Sequence, residues 1–228
     1  MERLVLFDID GTILNVHGVG SRALLAAMEA VFERQIDPTG YSMSGKTDTQ
    51  IVVELLERTG GWPGEVAPVL PRVWNNYLER FTPALAACHP HVYAGIVPLL
   101  AALGAHDGVV IGLLTGNVEP AAWLKLRRVN LAGPFRLGAF GDAAPERCLL
   151  PEIAVENAHK LTGRHFRGKQ VVIIGDTPND ITCGRHLGVK SIAVATGRFD
   201  RAQLAPHCPE HLFLDLSDTE RVLEAILA

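Results

Sequence analysis

What the chain lacks narrows its function first. Only four cysteines occur in 228 residues, at Cys88, Cys148, Cys183 and Cys208, and they form no CxxC pair. That spacing argues against a cysteine zinc site or a dithiol redox motif. A chain of this length does not need disulfides to fold, so reduced thiols in a cytoplasmic protein are expected. No long basic run is present, and the net charge is -4. Neither nucleic acid nor an anionic membrane surface is therefore the expected partner. Long apolar runs are missing too. Leu4 to Phe7 is too short for the core of a secretion signal and ends on an acid. No stretch is long enough to span a bilayer. Histidines are scattered at positions 17, 89, 91, 106, 159, 165, 186, 207 and 211, and no pair has convincing metal-ligand spacing. There is no internal repeat and no low-complexity tract.

What is present is enough apolar residue, 48%, for a sizeable core. Leu4 to Phe7, Val109 to Leu114, Val171 to Ile174 and Ser191 to Val194 are short apolar runs of the kind that buried parallel strands show. A less distinct run lies near Phe135 to Phe140, and His211 to Leu214 reads as an edge strand. Helical patterns lie between them. Leu24, Leu25, Met28, Val31 and Phe32 form one stripe, with Ser21 as the expected cap. Ile51, Val52, Leu55 and Leu56 form another. Val97 to Leu103, Pro120 to Arg128, Ile153 to Leu161, Asp180 to Leu187 and Thr219 to Leu227 read the same way. This alternation predicts an α/β fold, a parallel sheet covered by helices on both faces. Residues 16–90 differ: they are helical, broken by proline and glycine, and without a convincing strand. They read as a helical insertion.

Three polar clusters follow apolar strands, where open α/β sheets bind ligands. The first is Asp8-Ile9-Asp10-Gly11-Thr12. Two carboxylates there are costly unless cation or phosphate chemistry uses them, and Gly11 allows a sharp turn after the second. The second, Thr115-Gly116-Asn117, offers a hydroxyl, an open backbone N–H and an amide to a phosphoryl oxygen. The third, Gly175-Asp176-Thr177-Pro178-Asn179-Asp180, adds two carboxylates at the same sheet edge. Asp8 and Asp176, from different strands, would supply the hard oxygen ligands that magnesium prefers. Singly, each cluster is also an ordinary turn or helix start. Together and in this order they predict one active site. Gly18-Val19-Gly20-Ser21-Arg22-Ala23 matches a loose dinucleotide pattern, but it lies about ten residues past the strand and reads as a hinge and helix start.

These three clusters resemble the haloacid dehalogenase-like hydrolases, within them the phosphoglycolate-phosphatase-like group. The resemblance spans nearly the whole chain. It implies a Rossmann-like core of residues 1–15 and 91–228 with a helical cap of residues 16–90. It implies that Asp8 is the nucleophile forming an aspartyl-phosphate, and that Asp10 is the general acid and then base, its carbonyl binding Mg2+. Thr115 would hold the phosphoryl group, with Gly11, Thr12, Gly116 and Asn117 around it. Asp176 and Asp180 would complete the metal site with Asp8 and Asp10. The family places a lysine before the third cluster. Here Arg147 is the best candidate, and Lys125, Lys160 and Lys169 fit that place less well. Arginine carries the same charge with a different geometry. Ser44-Gly45-Lys46-Thr47-Asp48 resembles the substrate-facing cap loop, with Lys46 toward the leaving group and Thr47 or Asp48 beginning a helix. Trp62 and Trp74 read as helix packing rather than pocket walls. The implied function is hydrolysis of a small phosphorylated metabolite. Alternatives are a sugar-phosphate mutase on the same core and a non-catalytic phosphate sensor. Asp10 favours phosphate over carbon–halogen cleavage, because the dehalogenase branch needs no leaving-group proton. The pattern specifies neither a substrate nor an oligomeric state.

Overall fold

The computed structural model describes residues 2–228. Six strands form one parallel sheet: β1 (Arg3–Phe7), β4 (Val109–Leu114), β5 (Leu137–Ala139), β6 (Val171–Gly175), β7 (Lys190–Val194) and β8 (His211–Phe213). Their spatial order is β5-β4-β1-β6-β7-β8. The chain therefore steps outward from β1 on one side, then returns and steps outward on the other. Such a reversal opens a crevice at the carboxyl ends of the central strands. A separate two-residue ribbon pairs β2 (Leu14–Asn15) with β3 (His91–Val92), antiparallel. These pieces are too short to leave a periodic signal in the sequence.

Alternation along β1 explains how helices cover both faces. Leu4 and Leu6 join Val110, Leu114 and Ile173 on one face, under α6 (Leu150–Thr162) through its Leu150, Ala154 and Ala158. Val5 and Phe7 point the other way with Ile111, Leu113 and Ile174. There they meet α4 (Ile96–Gly104), α5 (Glu119–Arg128) and α9 (Thr219–Leu227). The same apolar cluster continues without a break into α1 (Val19–Phe32), α2 (Asp48–Arg58) and α3 (Leu70–Ala87), where Leu24, Met28, Leu55, Val73 and Phe81 are buried. Two short helices, α7 (Pro178–Thr182) and α8 (Arg201–Leu204), follow β6 and β7. At the end of the sheet opposite the crevice, Arg3 donates to the carbonyls of Ile226 and Leu227, and Lys190 to that of Ala225. Both cations thus satisfy free carbonyls of the last helix.

The parallel sheet agrees with expectation, and two local readings are corrected. Ser21 does not cap α1. The helix starts at Val19, and Gly18 sits before it at φ 73°. The reversal after β2 needs a left-handed backbone there, which glycine supplies without strain. The helix expected over Asp180 to Leu187 ends at Thr182, and a short 3-10 turn follows at Arg185–Leu187. Trp62, in the loop after α2, packs edge-on against Phe32, and Trp74 on α3 lies against the same core. No helix among the described residues is long and apolar enough to cross a membrane.

Candidate active site

β1 delivers Asp8 to the crevice, and the Asp8 N–H still donates to the Ile174 carbonyl at 2.9 Å, so the residue is held in the sheet ladder. The chain then turns tightly over Ile9, whose carbonyl accepts from the N–H groups of Ile13 and Leu14. Gly11 sits in this turn at φ 91°, and a β-carbon there would lie 2.4 Å from an Asp176 carboxylate oxygen. Glycine is thus required twice over, for the turn and for the approach of Asp176. Thr12 is buried below and donates to Asp176 Oδ1 at 3.1 Å. Its hydroxyl orients that carboxylate rather than lining the cavity.

Asp8, Asp176 and Asp180 each offer a carboxylate oxygen within 4.8 Å of the others, and all three are buried. Among the described residues, one cation faces them. Arg147 Nη2 lies 3.0 Å from Asp8 Oδ1 and 2.5 Å from Asp180 Oδ1, and also donates to the Leu114 carbonyl at 3.2 Å. A single nitrogen makes all three contacts. Two of them are hydrogen bonds, to Leu114 and Asp180, and the contact with Asp8 is an ion pair. Burial would lower the guanidinium pKa, but the carboxylates of Asp180 and Asp8 more than offset it and raise it. The Asp8 carboxyl is pushed up to about 7, first by burial and then by Asp180 and Asp10, against the pull of Arg147. Asp176 is raised well above the ordinary range by burial and by Asp180 and Asp8. Three buried carboxylates against one guanidinium leave an excess of negative charge. That excess and the all-oxygen donor set fit a hard divalent cation.

Asp10 points away from this group. Its Oδ2 accepts from Asn117 Nδ2 at 2.7 Å and from Lys125 Nζ at 2.5 Å. Lys125 Nζ also donates to Asn117 Oδ1 at 2.6 Å, and Asn117 Nδ2 to Thr115 Oγ1 at 2.7 Å. Thr115 Oγ1 accepts from the Asn117 N–H as well, so its own hydrogen is left to donate. Lys125 was the residue sequence reasoning underrated. Its place on α5 beside Ala121, Ala122 and Leu126, all buried, was the available signal, because a lysine on a buried helix face needs a partner. It reaches Asp10 and not Asp8. Lys160 and Lys169 are exposed and pair with Glu156 and Glu210.

The loop before α2 closes the far side. Thr47 caps α2 through the Gln50 N–H, and Asp48 is the first helical residue. The Asp48 N–H donates to the Gly116 carbonyl at 2.7 Å, and its carboxylate accepts from Val118 N–H at 2.9 Å. Asp142 accepts from the next N–H, that of Glu119. Two carboxylates from elsewhere thus satisfy two free N–H groups at the start of α5. A β-carbon on Gly116 would lie 2.0 Å from the Lys46 carbonyl, so that glycine is where the two loops touch. Burial raises the Asp48 carboxyl to about 6, against the Val118 N–H. The Lys46 side chain pairs with Glu54 and lies over the Tyr41 ring at 4.3 Å. A cavity of about 640 Å³ remains, with walls that include Asp8, Asp10, Lys46, Thr115, Asn117, Lys125, Arg147 and Asp176. No histidine or tryptophan lines it among the described residues.

Residues 5–194 match the sequence profile of the family described as haloacid dehalogenase-like hydrolase. A phosphoglycolate phosphatase of Rhodospirillum rubrum is 30% identical over 208 residues, covering 86% of this chain and 81% of that one. A phosphoglycolate phosphatase of Chromobacterium violaceum is 24% identical over 222 residues, 95% of each chain. Among solved structures, CbbY from Rhodobacter sphaeroides in complex with phosphate superposes with a TM-score of 0.74 at 19% identity, over 96% of each chain.

Proposed function

The chain belongs to the haloacid dehalogenase-like hydrolase family, and from that premise we propose that it is a magnesium-dependent phosphatase acting on a small phosphomonoester through an aspartyl-phosphate on Asp8. The observation that carries this reading is the separation of the two aspartates. Asp8 lies in the buried carboxylate cluster beside Arg147, while Asp10 turns to Asn117 and Lys125. Two carboxylates two residues apart with unlike surroundings suit a nucleophile and an acid–base group.

Asp8 attacks phosphorus, the phosphorus–oxygen bond to the leaving group breaks, and Asp10 gives its proton to the departing oxygen. Asp10 then takes a proton from water, which attacks the acyl phosphate, frees phosphate and restores Asp8. The Thr115 hydroxyl donates to a phosphoryl oxygen while Arg147 balances the charge at Asp8. Mg2+, held by Asp8, Asp176 and Asp180, would supply the positive charge against which an anionic nucleophile meets an anionic phosphate. Gly11 and Thr12 act by placing Asp176. Gly116 and Asn117 shape the phosphate side of the cavity.

Residues 16–90 serve as a cap over a core of residues 1–15 and 91–228. The ribbon of β2 and β3 lies at the two crossings between them. The docking of Asp48 on Gly116 and Val118 supports a closed arrangement that excludes water. Lys46, engaged with Glu54, is a wall residue that meets a leaving group only by exchanging that partner. Phosphoglycolate is the first substrate to try, on the names of the relatives. The test is phosphate release from a panel of small phosphomonoesters, with Mg2+ and with chelator. Release that requires Mg2+ is expected. Absence of release across the panel sinks the reading, and conversion of a sugar phosphate to an isomer without free phosphate would establish a mutase instead.

A further inference from the structure

Lys125 is a buried cation that the scheme above leaves without a task. Its side chain is 3% exposed, yet it lines the cavity. Its ammonium is 5.9 Å from the Phe81 ring, between α5 and α3, and bonds only to Asp10 Oδ2 and Asn117 Oδ1 among the described residues. Stripping water from an ammonium is costly, and a buried ion pair is weak evidence for stability. The detailed geometry points to a different use.

Asp10 sits on a turn, and its side chain is 42% exposed. Among the described residues, only Asn117 and Lys125 donate to its carboxylate. Lys125 and Asn117 both bond to Oδ2, so Oδ1 is the oxygen left without a protein donor among the described residues. Lys125 also fixes the amide. With its oxygen taken by the ammonium, Asn117 must turn its NH2 toward Asp10 and Thr115. The flipped amide would set donor against donor and acceptor against acceptor. One ammonium thereby orients the carboxylate and, through Asn117, the hydroxyl that holds the phosphoryl group.

We propose that Lys125 is a positioning residue: it locks Asp10 and Asn117 into one hydrogen-bonded ring so that Asp10 Oδ1 faces the leaving group. This rests on the acid–base role proposed for Asp10. Misplacement of a reacting group by about 1 Å can cost on the order of 100-fold in rate. The experiment measures steady-state kinetics of wild type, Lys125→Met and Lys125→Ala on one Mg2+-dependent substrate, with thermal melts of each. The expected result is a kcat lowered about 10- to 100-fold with KM changed less than about threefold. Ethylammonium should partly restore kcat in Lys125→Ala, because the cavity admits it. A raised KM with unchanged kcat would make Lys125 a substrate ligand and overturn the proposal. Unchanged kinetics, or loss of fold in both variants, overturns it too. Wild type without turnover marks failure of the proposed function itself, and this inference falls with it. Wild type active and Lys125→Met equal to it marks failure of this inference alone.

Discussion

Asp8→Asn should stabilise the metal-free protein while abolishing turnover. Asp8 has its pKa raised from 3.8 to about 7, chiefly by burial, with Asp180 and Asp10 adding to it. A raised folded-state value means that the folded protein binds more protons than the unfolded chain between those limits. Stability then falls as pH rises from about 4 to about 7, and the full cost of the ionised carboxylate is present above 7. That interval corresponds to ~4 kcal/mol. Asparagine has the same shape and no charge, so the variant escapes the cost but cannot reproduce every bond to Arg147. A gain of about 2–4 kcal/mol at pH 8 in chelator is expected, a Tm rise of roughly 5–15 °C for a chain of this size. Near pH 4 the gain should shrink below about 1 kcal/mol, because Asp8 is then neutral in the folded state. Saturating Mg2+ should narrow the gap, since a cation removes the repulsion that the variant relieves. The assay is thermal unfolding of both proteins across pH, with chelator and with Mg2+. Asp8→Asn melting at or below wild type at pH 8 in chelator, or a gain independent of pH, would refute the account of the cluster.

Arg147→Met removes the cation that faces Asp8 and Asp180. Metal-free stability should fall by about 3–5 kcal/mol at pH 8 in denaturant titrations, with loss of activity. Arg147→Lys should retain more of both, because one nitrogen makes the contacts; unchanged kinetics in Arg147→Met would place the balancing charge elsewhere. Asp48→Ala leaves the Val118 N–H without its acceptor, and should lower stability by about 1–2 kcal/mol and speed proteolysis of the loop before α2. Asp48→Asn keeps an acceptor. Because burial raises Asp48 to about 6, the ionised form is penalised as pH rises through 4 to 6, so Asp48→Asn should melt no lower than wild type at pH 8. A drop as large as that of alanine would show that the charge itself stabilises the contact.

Much of this molecule was legible in its local patterns. Short apolar runs predicted the parallel strands, since a strand buried on both faces shows near-continuous hydrophobicity. The polar clusters at the ends of β1, β4 and β6 predicted one site, because parallel strands bring their carboxyl ends to one edge. Helix ends were less legible. Ser21 is an ordinary cap residue, but the backbone reversal at Gly18 started the helix earlier. The tertiary structure alone decided how side chains meet across the chain. Asp8 and Asp10 look equivalent as neighbours in the sequence. Folding put Asp8 within 3.0 Å of Arg147 and gave Asp10 to Lys125, 115 positions away. Periodicity records which face a residue takes, and so it marks Lys125 as buried. It carries no record of which distant atom a long side chain will reach, because that depends on how α5 packs beside α3 and on the turn that carries Asp10.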